Sequence, residues 1–155
     1  MPNYIIRQAT EKDVPSLVDF NCGIAAETED KQLDRELVTR GVTRALQQGE
    51  EAVYFVAVEE GDETDAAVAS LMLTREWSDW RDGWVAWIQS VYVHQAHRGN
   101  GIFTLLLEHA TAKLKTNPDV RGLRLYVEND NTRAQSVYHN NGFNDPHYKV
   151  LEKMF

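Results

Sequence analysis

Two hydrophobic periods run through the chain. Val14, Leu17, Val18 and Ile24 recur at steps of three, four and seven, the spacing of a helix that buries one face. Thr10 followed by Asp13 resembles an acidic form of the capping box and predicts where that helix opens. Leu37, Val38, Val42, Ala45 and Leu46 form a second stripe and predict a helix over 34–48. Glu27, Glu29 and Asp30 make an acidic patch between the two.

The period then changes. Residues 4–8, 53–59 and 66–74 are β-rich, and the last two runs flank Glu-Glu-Gly-Asp-Glu, which predicts an antiparallel hairpin. Residues 75–83, REWSDWRDG, read as a loop. WVAWIQSVYV, 84–93, is apolar on both faces and belongs in the centre of a sheet. A helix is predicted over 102–114, with Leu105, Leu106, His109 and Leu114 on its buried face and Asn117-Pro118 ending it. A strand at 122–128, a helix at 131–141 closed by Gly142, and a last strand at 148–154 complete the order. A hairpin stands where a doubly wound nucleotide fold would place crossover helices, so the fold class is α/β of the α+β kind: a mixed, largely antiparallel sheet of six to seven strands flanked by helices.

Composition narrows the partners. A chain of 155 residues with 43% hydrophobic and 26% charged residues has the size and balance of one globular domain, so a single domain over 1–155 is expected. The net charge of −8 disfavours phosphate backbones and anionic membrane surfaces, and no apolar run approaches the roughly 20 residues that span a bilayer. Cys22 is the only cysteine, which excludes an internal disulfide and fits a reducing, cytoplasmic setting. His94 and His97 have no acidic or cysteine partner at ligand spacing, so no metal is expected.

HRGNGIFTLL, 97–106, sets two glycines one residue apart just before a helix. A helix N-terminus carries unpaired amide protons and partial positive charge, and missing side chains let an oxyanion approach. An ordinary strand-to-helix turn accounts for the glycines equally well when they are taken alone. Neither a nucleotide P-loop, which needs Lys-Ser or Lys-Thr here, nor a dinucleotide fingerprint fits.

With its neighbours the segment is more telling. SVYVHQAHRGNGIFTLLL, 90–107, resembles the acyl-CoA signature of the GNAT superfamily of N-acetyltransferases, Arg/Gln-x-x-Gly-x-Gly/Ala after a Val-rich strand. Arg98, Gly99 and Gly101 match. Phe103 replaces the last small residue, and a local change of loop shape is expected there. LYVENDNTRAQSVYHNNGF, 125–143, resembles the family's second block through Asn131, Ala134, Tyr138, Gly142 and Phe143.

The resemblance implies central strands that splay apart, with acetyl-CoA in the opening. Backbone groups of Val91 and Val93 would pair with the pantetheine arm. Amides of Arg98, Gly99, Asn100, Gly101, Phe103 and Thr104 would hold the pyrophosphate, with Asn131 and Ala134 beside the arm. Tyr138 would be the general acid toward the departing sulfur. The reaction implied is direct acetyl transfer to a primary amine of a small molecule, polyamine-like in one reading. A protein or peptide N-acetyltransferase and a catalytically weak acyl-CoA-binding module are the alternatives.

The acceptor side is less defined. The central strand reads Ile88-Gln89-Ser90 where many relatives carry an acid, which leaves Glu76, Asp79 and Glu128 as candidate bases. Trp77, Trp80, Trp84 and Trp87 fall within eleven residues and suit either core filling or an acceptor pocket in which an ammonium meets an aromatic face. In the second reading Glu76, Trp77, Asp79 and Trp80 face Glu27 and Glu29 across the pocket. The family also makes a homodimer an expected assembly.

Overall fold

A computed structural model describes residues 2–155. Five strands form one sheet in the order β1 (Tyr4–Gln8), β2 (Ala52–Glu59), β3 (Ala67–Ser78), β4 (Gly83–Val93) and β5 (Val120–Leu125). The first four are antiparallel to their neighbours, and β5 runs parallel to β4. The helices are α1 (Val14–Glu29), α2 (Arg35–Ala45), α3 (Ile102–Leu114) and α4 (Thr132–Asn140). The backbone divides into two compact units, one ending at Leu125 and the other Tyr126–Phe155.

Alternation along β2 explains the layers of the first unit. Tyr54 and Val56 point to one face, where they meet Leu17, Val18 and Val42 from α1 and α2. Phe55 points to the other face and meets His109 of α3 edge-to-face at 5.1 Å. Both faces are covered, so β2 is buried through most of its length. The buried stripe of α3 is Ile102, Leu106, Leu107 and Ala110, whereas the expected Leu105 is exposed.

Local chemistry fixes the opening of α1. The Asp13 carboxylate accepts from the Thr10 amide at 2.8 Å, the reciprocal half of the expected box, and takes both Arg7 amino groups at 2.8 and 2.9 Å. Burial works against that charge, but the Arg7 and Thr10 hydrogen bonds hold the Asp13 carboxyl below the ordinary carboxylate range. Asp34 caps α2 through the amides of Glu36 and Leu37.

The mixed, mostly antiparallel class stands, with three corrections of detail. The sheet has five strands, not six or seven, among the described residues. No strand forms at 148–154, because Asp145 accepts from the His147 amide and His147 takes a left-handed φ of 63°, a tight turn ahead of the expected ladder. The expected loop at 75–83 is largely strand: Arg75–Ser78 continues β3, and only 79–82 turn. Trp77 packs edge-to-face on Trp84 at 5.0 Å and the Arg75 guanidinium lies 4.0 Å over the Trp84 ring, cross-strand contacts that outweigh the polar local composition.

Candidate active site

Regular pairing fails at one end of the β3–β4 hairpin. Met72 faces Gln89 and Ser70 faces Tyr92, so β4 carries one extra residue there. Ser90 adopts a left-handed φ of 52°, which a non-glycine residue holds only when its surroundings impose it. Just before the distortion β4 loses its other neighbour. The parallel ladder ends at Ile88–Leu125, and among the described residues no strand pairs with Gln89–Val93 on that side. A strand edge is thus open inside the sheet rather than at its border.

Beyond Val93 the chain makes a 3-10 turn, Gln95–His97, and reaches the glycines. Gly99 and Gly101 have φ of 81° and 72°, and a side chain at either would project into open space. The cradle is therefore unobstructed. The Asn100 amide braces it by donating to the His97 carbonyl at 2.9 Å, and α3 opens directly from Gly101. The helix runs regularly through half-buried Phe103 and Thr104, with its positive end at the cradle. The residues present fit an anionic group such as a pyrophosphate.

One face of α1 borders this turn. Phe20 stacks on Tyr92 of β4 with ring centroids 5.3 Å apart, and a Cβ on Gly23 would lie 2.9 Å from the Tyr92 ring, so the helix can approach only as glycine there. One turn on, Glu27 meets Arg98 at 2.8 Å and Gln95 at 3.3 Å. The Tyr92 hydroxyl and then the Arg98 guanidinium hold the Glu27 carboxyl below its ordinary range, against a smaller effect of burial. Burial, followed by the Glu27 charge, raises the Tyr92 phenol. Arg98 also donates through Nε to the Val93 carbonyl at 2.9 Å.

The predicted acceptor residues separate into groups. Glu27 stands at the glycine turn, while Glu29 pairs with Lys31 at 3.8 Å on the surface. Glu76 and Trp77 lie on β3, Asp79 and Trp80 in the hairpin turn, at the far end from Val93. The nine residue steps from Trp84 to Val93, at about 3.3 Å each, put roughly 30 Å between the tip and the turn. The structure does not bring the tip together with Glu27. Glu76 is held by Arg124, and Trp80 is 87% exposed.

In the second unit, Asn131 caps α4 by accepting from the Ala134 amide at 3.1 Å, which commits its side-chain oxygen. Glu128 accepts from the Asp130 amide at 2.9 Å in the preceding turn. Tyr138 packs edge-to-face on Phe143 at 5.9 Å, and burial pushes its phenol above the ordinary value, so it stays protonated at neutral pH.

The fold has known counterparts. The model of the acetyltransferase (GNAT) family matches residues 21–143. The chain belongs to the GNAT acetyltransferase family. A possible acetyltransferase from Clostridium difficile 630 is 36% identical over 98% of this chain and 97% of its own, with a TM-score of 0.88. A predicted acetyltransferase with acetyl-CoA from Clostridium acetobutylicum, 23% identical over 98% of this chain and 96% of its own, superposes with a TM-score of 0.76. Glucosamine-6-phosphate N-acetyltransferase from Arabidopsis thaliana shares the fold at 17% identity over 99% of each chain, with a TM-score of 0.74. No curated protein matches by sequence. This GNAT protein is an acetyl-transferring enzyme, and no helix among its described residues is long and apolar enough to cross a membrane.

Sequence reading missed Tyr92, Gln95, Gly23 and the Ser90 bulge. Phe20, Gly23 and Glu27 do share a helical face, a signal visible at i, i+3 and i+7. Nothing in Gln89-Ser90-Val91 announces a left-handed residue, because serine has no preference for one.

Proposed function

We propose that this enzyme is an N-acetyltransferase that moves acetyl from acetyl-CoA to a primary amine of a small, polyamine-like molecule, by direct attack with both substrates bound. The observation that carries the reading is the unpaired end of β4 running into the open turn at Gly99 and Gly101. An extended pantetheine arm can exchange hydrogen bonds with Val91 and Val93 as an added strand would. The amides from Gly99 to Thr104, aided by the Arg98 charge, receive the pyrophosphate. A family match that runs from residue 21 in the first unit to residue 143 in the second supports one domain over the chain.

Acetyl-CoA supplies the activated thioester; the chain supplies position and proton control. An alkylamine with pKa near 10.4 is neutral about once in 2,500 at pH 7, a deficit of roughly 4–5 kcal/mol that a carboxylate or water chain must offset. A backbone amide of the β4 edge would donate to the carbonyl oxygen as charge develops there. Tyr138, kept protonated by burial, would hydrogen-bond to the departing sulfur. A cleft of about 580 Å³ between α1 and α2, lined by Cys22, Ala26, Asp30, Leu33 and Arg35, has the volume of a small-molecule site.

Exposed Tyr148, Val150, Leu151, Met154 and Phe155 support self-association as a homodimer, and a lone cysteine supports a cytoplasmic setting.

Thiol release from acetyl-CoA across polyamines, amino acids, aminoglycosides and peptides tests the reading. A small amine should be turned over, and Tyr138→Phe should lower kcat about 100-fold with CoA affinity unchanged. Turnover of peptides alone would assign a peptide acetyltransferase. Cofactor binding without turnover of any acceptor would leave an acyl-CoA-binding module.

A further inference from the structure

Arg98 holds together the two groups that the acetyl-transfer reading needs separately. Its Nη2 is 2.8 Å from the Glu27 carboxylate of α1, and its Nε donates to the Val93 carbonyl at the open end of β4 at 2.9 Å. The guanidinium also lies 5.4 Å from the Tyr92 ring, so the side chain is folded back over the strand end. In that position Arg98 covers part of the edge meant for the pantetheine arm and neutralises a carboxylate that borders the turn.

These contacts are built to be exchanged. The Glu27–Arg98 pair is partly open to solvent, with side-chain exposures of 31% and 46%, and such pairs are weak. A pyrophosphate presents more charge and several acceptor oxygens to the same planar fork, which guanidinium binds in bidentate fashion. Gly99, directly after Arg98, has open space beside it and a left-handed backbone, so the cradle and the arginine address the same anion. Glu27 would not be stranded by the loss, because Tyr92 and Gln95 remain beside it. Phe20 fixes the Tyr92 ring from the α1 side.

We propose that Arg98 is an exchange switch: the pyrophosphate of incoming acetyl-CoA draws the guanidinium away from Glu27 and Val93, which frees a carboxylate for the acceptor ammonium only once the acetyl donor is bound. The proposal rests on the acetyl-CoA reading given above. It makes Glu27 a positioning and acceptor-recognition residue, and it makes donor-first binding a property of one ion pair. No bond is made or broken in the exchange; an internal salt bridge is replaced by one to the ligand.

CoA itself, which carries the pyrophosphate but no acetyl group, is the probe. Calorimetric titration compares the unmodified protein with Glu27→Gln and with Glu29→Gln, whose partner is Lys31 rather than Arg98. Removing the internal competitor should tighten CoA binding about two- to fivefold in Glu27→Gln, the scale of an exposed ion pair. Glu29→Gln loses the same net charge and should bind as the unmodified protein does. CoA binding that is unchanged or weaker in Glu27→Gln, or equally tightened in both variants, overturns the switch while leaving the acetyl-CoA reading intact. Failure of all three proteins to bind CoA overturns that reading and the switch together.

Discussion

The β3–β4 hairpin has two ends built from the same strands, and they are opposites. At the tip the register is complete to Ser78–Gly83, and Arg75, Trp77 and Trp84 close over one another. At the base the register slips, Ser90 is forced left-handed, β5 stops, and the chain enters a turn with no side chain on either glycine. The aromatic end uses its chemistry on itself. The irregular end leaves backbone groups and a positive helix terminus available, and a ligand can pair only with what the fold leaves unpaired.

Substitutions at the two ends should therefore separate stability from binding. Trp84→Ala removes the ring on which both Trp77 and Arg75 rest and should cost about 2–3 kcal/mol in chemical denaturation, with CoA affinity of the folded protein unchanged. A parallel loss of CoA affinity would show that the tip supports the base. Gly101→Val puts a β-branched residue at φ 72° and fills the open cradle, so CoA affinity measured by calorimetry should fall about tenfold or more. Unaltered affinity there would remove the cradle from the site. Ser90→Gly relieves the left-handed strain and should gain about 1 kcal/mol in the same denaturation experiment. Trp80→Ala, at a side chain already in water, should change stability by less than about 0.5 kcal/mol and turnover by less than about twofold. A larger loss of turnover would return the tip to the acceptor side.

The same contrast explains what could be read from the sequence. α3 was legible to the residue, because Gly101 before it and Asn117-Pro118 after it are strong punctuation. The glycine turn ahead of α3 was legible because a positive φ is a local demand that glycine meets. The hairpin tip was misjudged because REWSDWRDG is polar by composition, while its pairing comes from tryptophans that meet across strands. Grouping those tryptophans with Glu27 failed for a related reason: nearness in sequence to the central strand says nothing about which end of it a residue occupies. The absent strand at 148–154 has the right alternation, but a turn at Asp145 and His147 determines the local path. Contacts such as Glu27 with Arg98, 71 residues apart, carry no sequence signal at all.

Cys22 is the chain's only thiol and lines the cleft between α1 and α2. A colorimetric assay that counts released CoA by its sulfhydryl will therefore start from a background of at most one equivalent per protein chain. Labelling that sulfur would attach a single fluorophore per chain with no engineered residue.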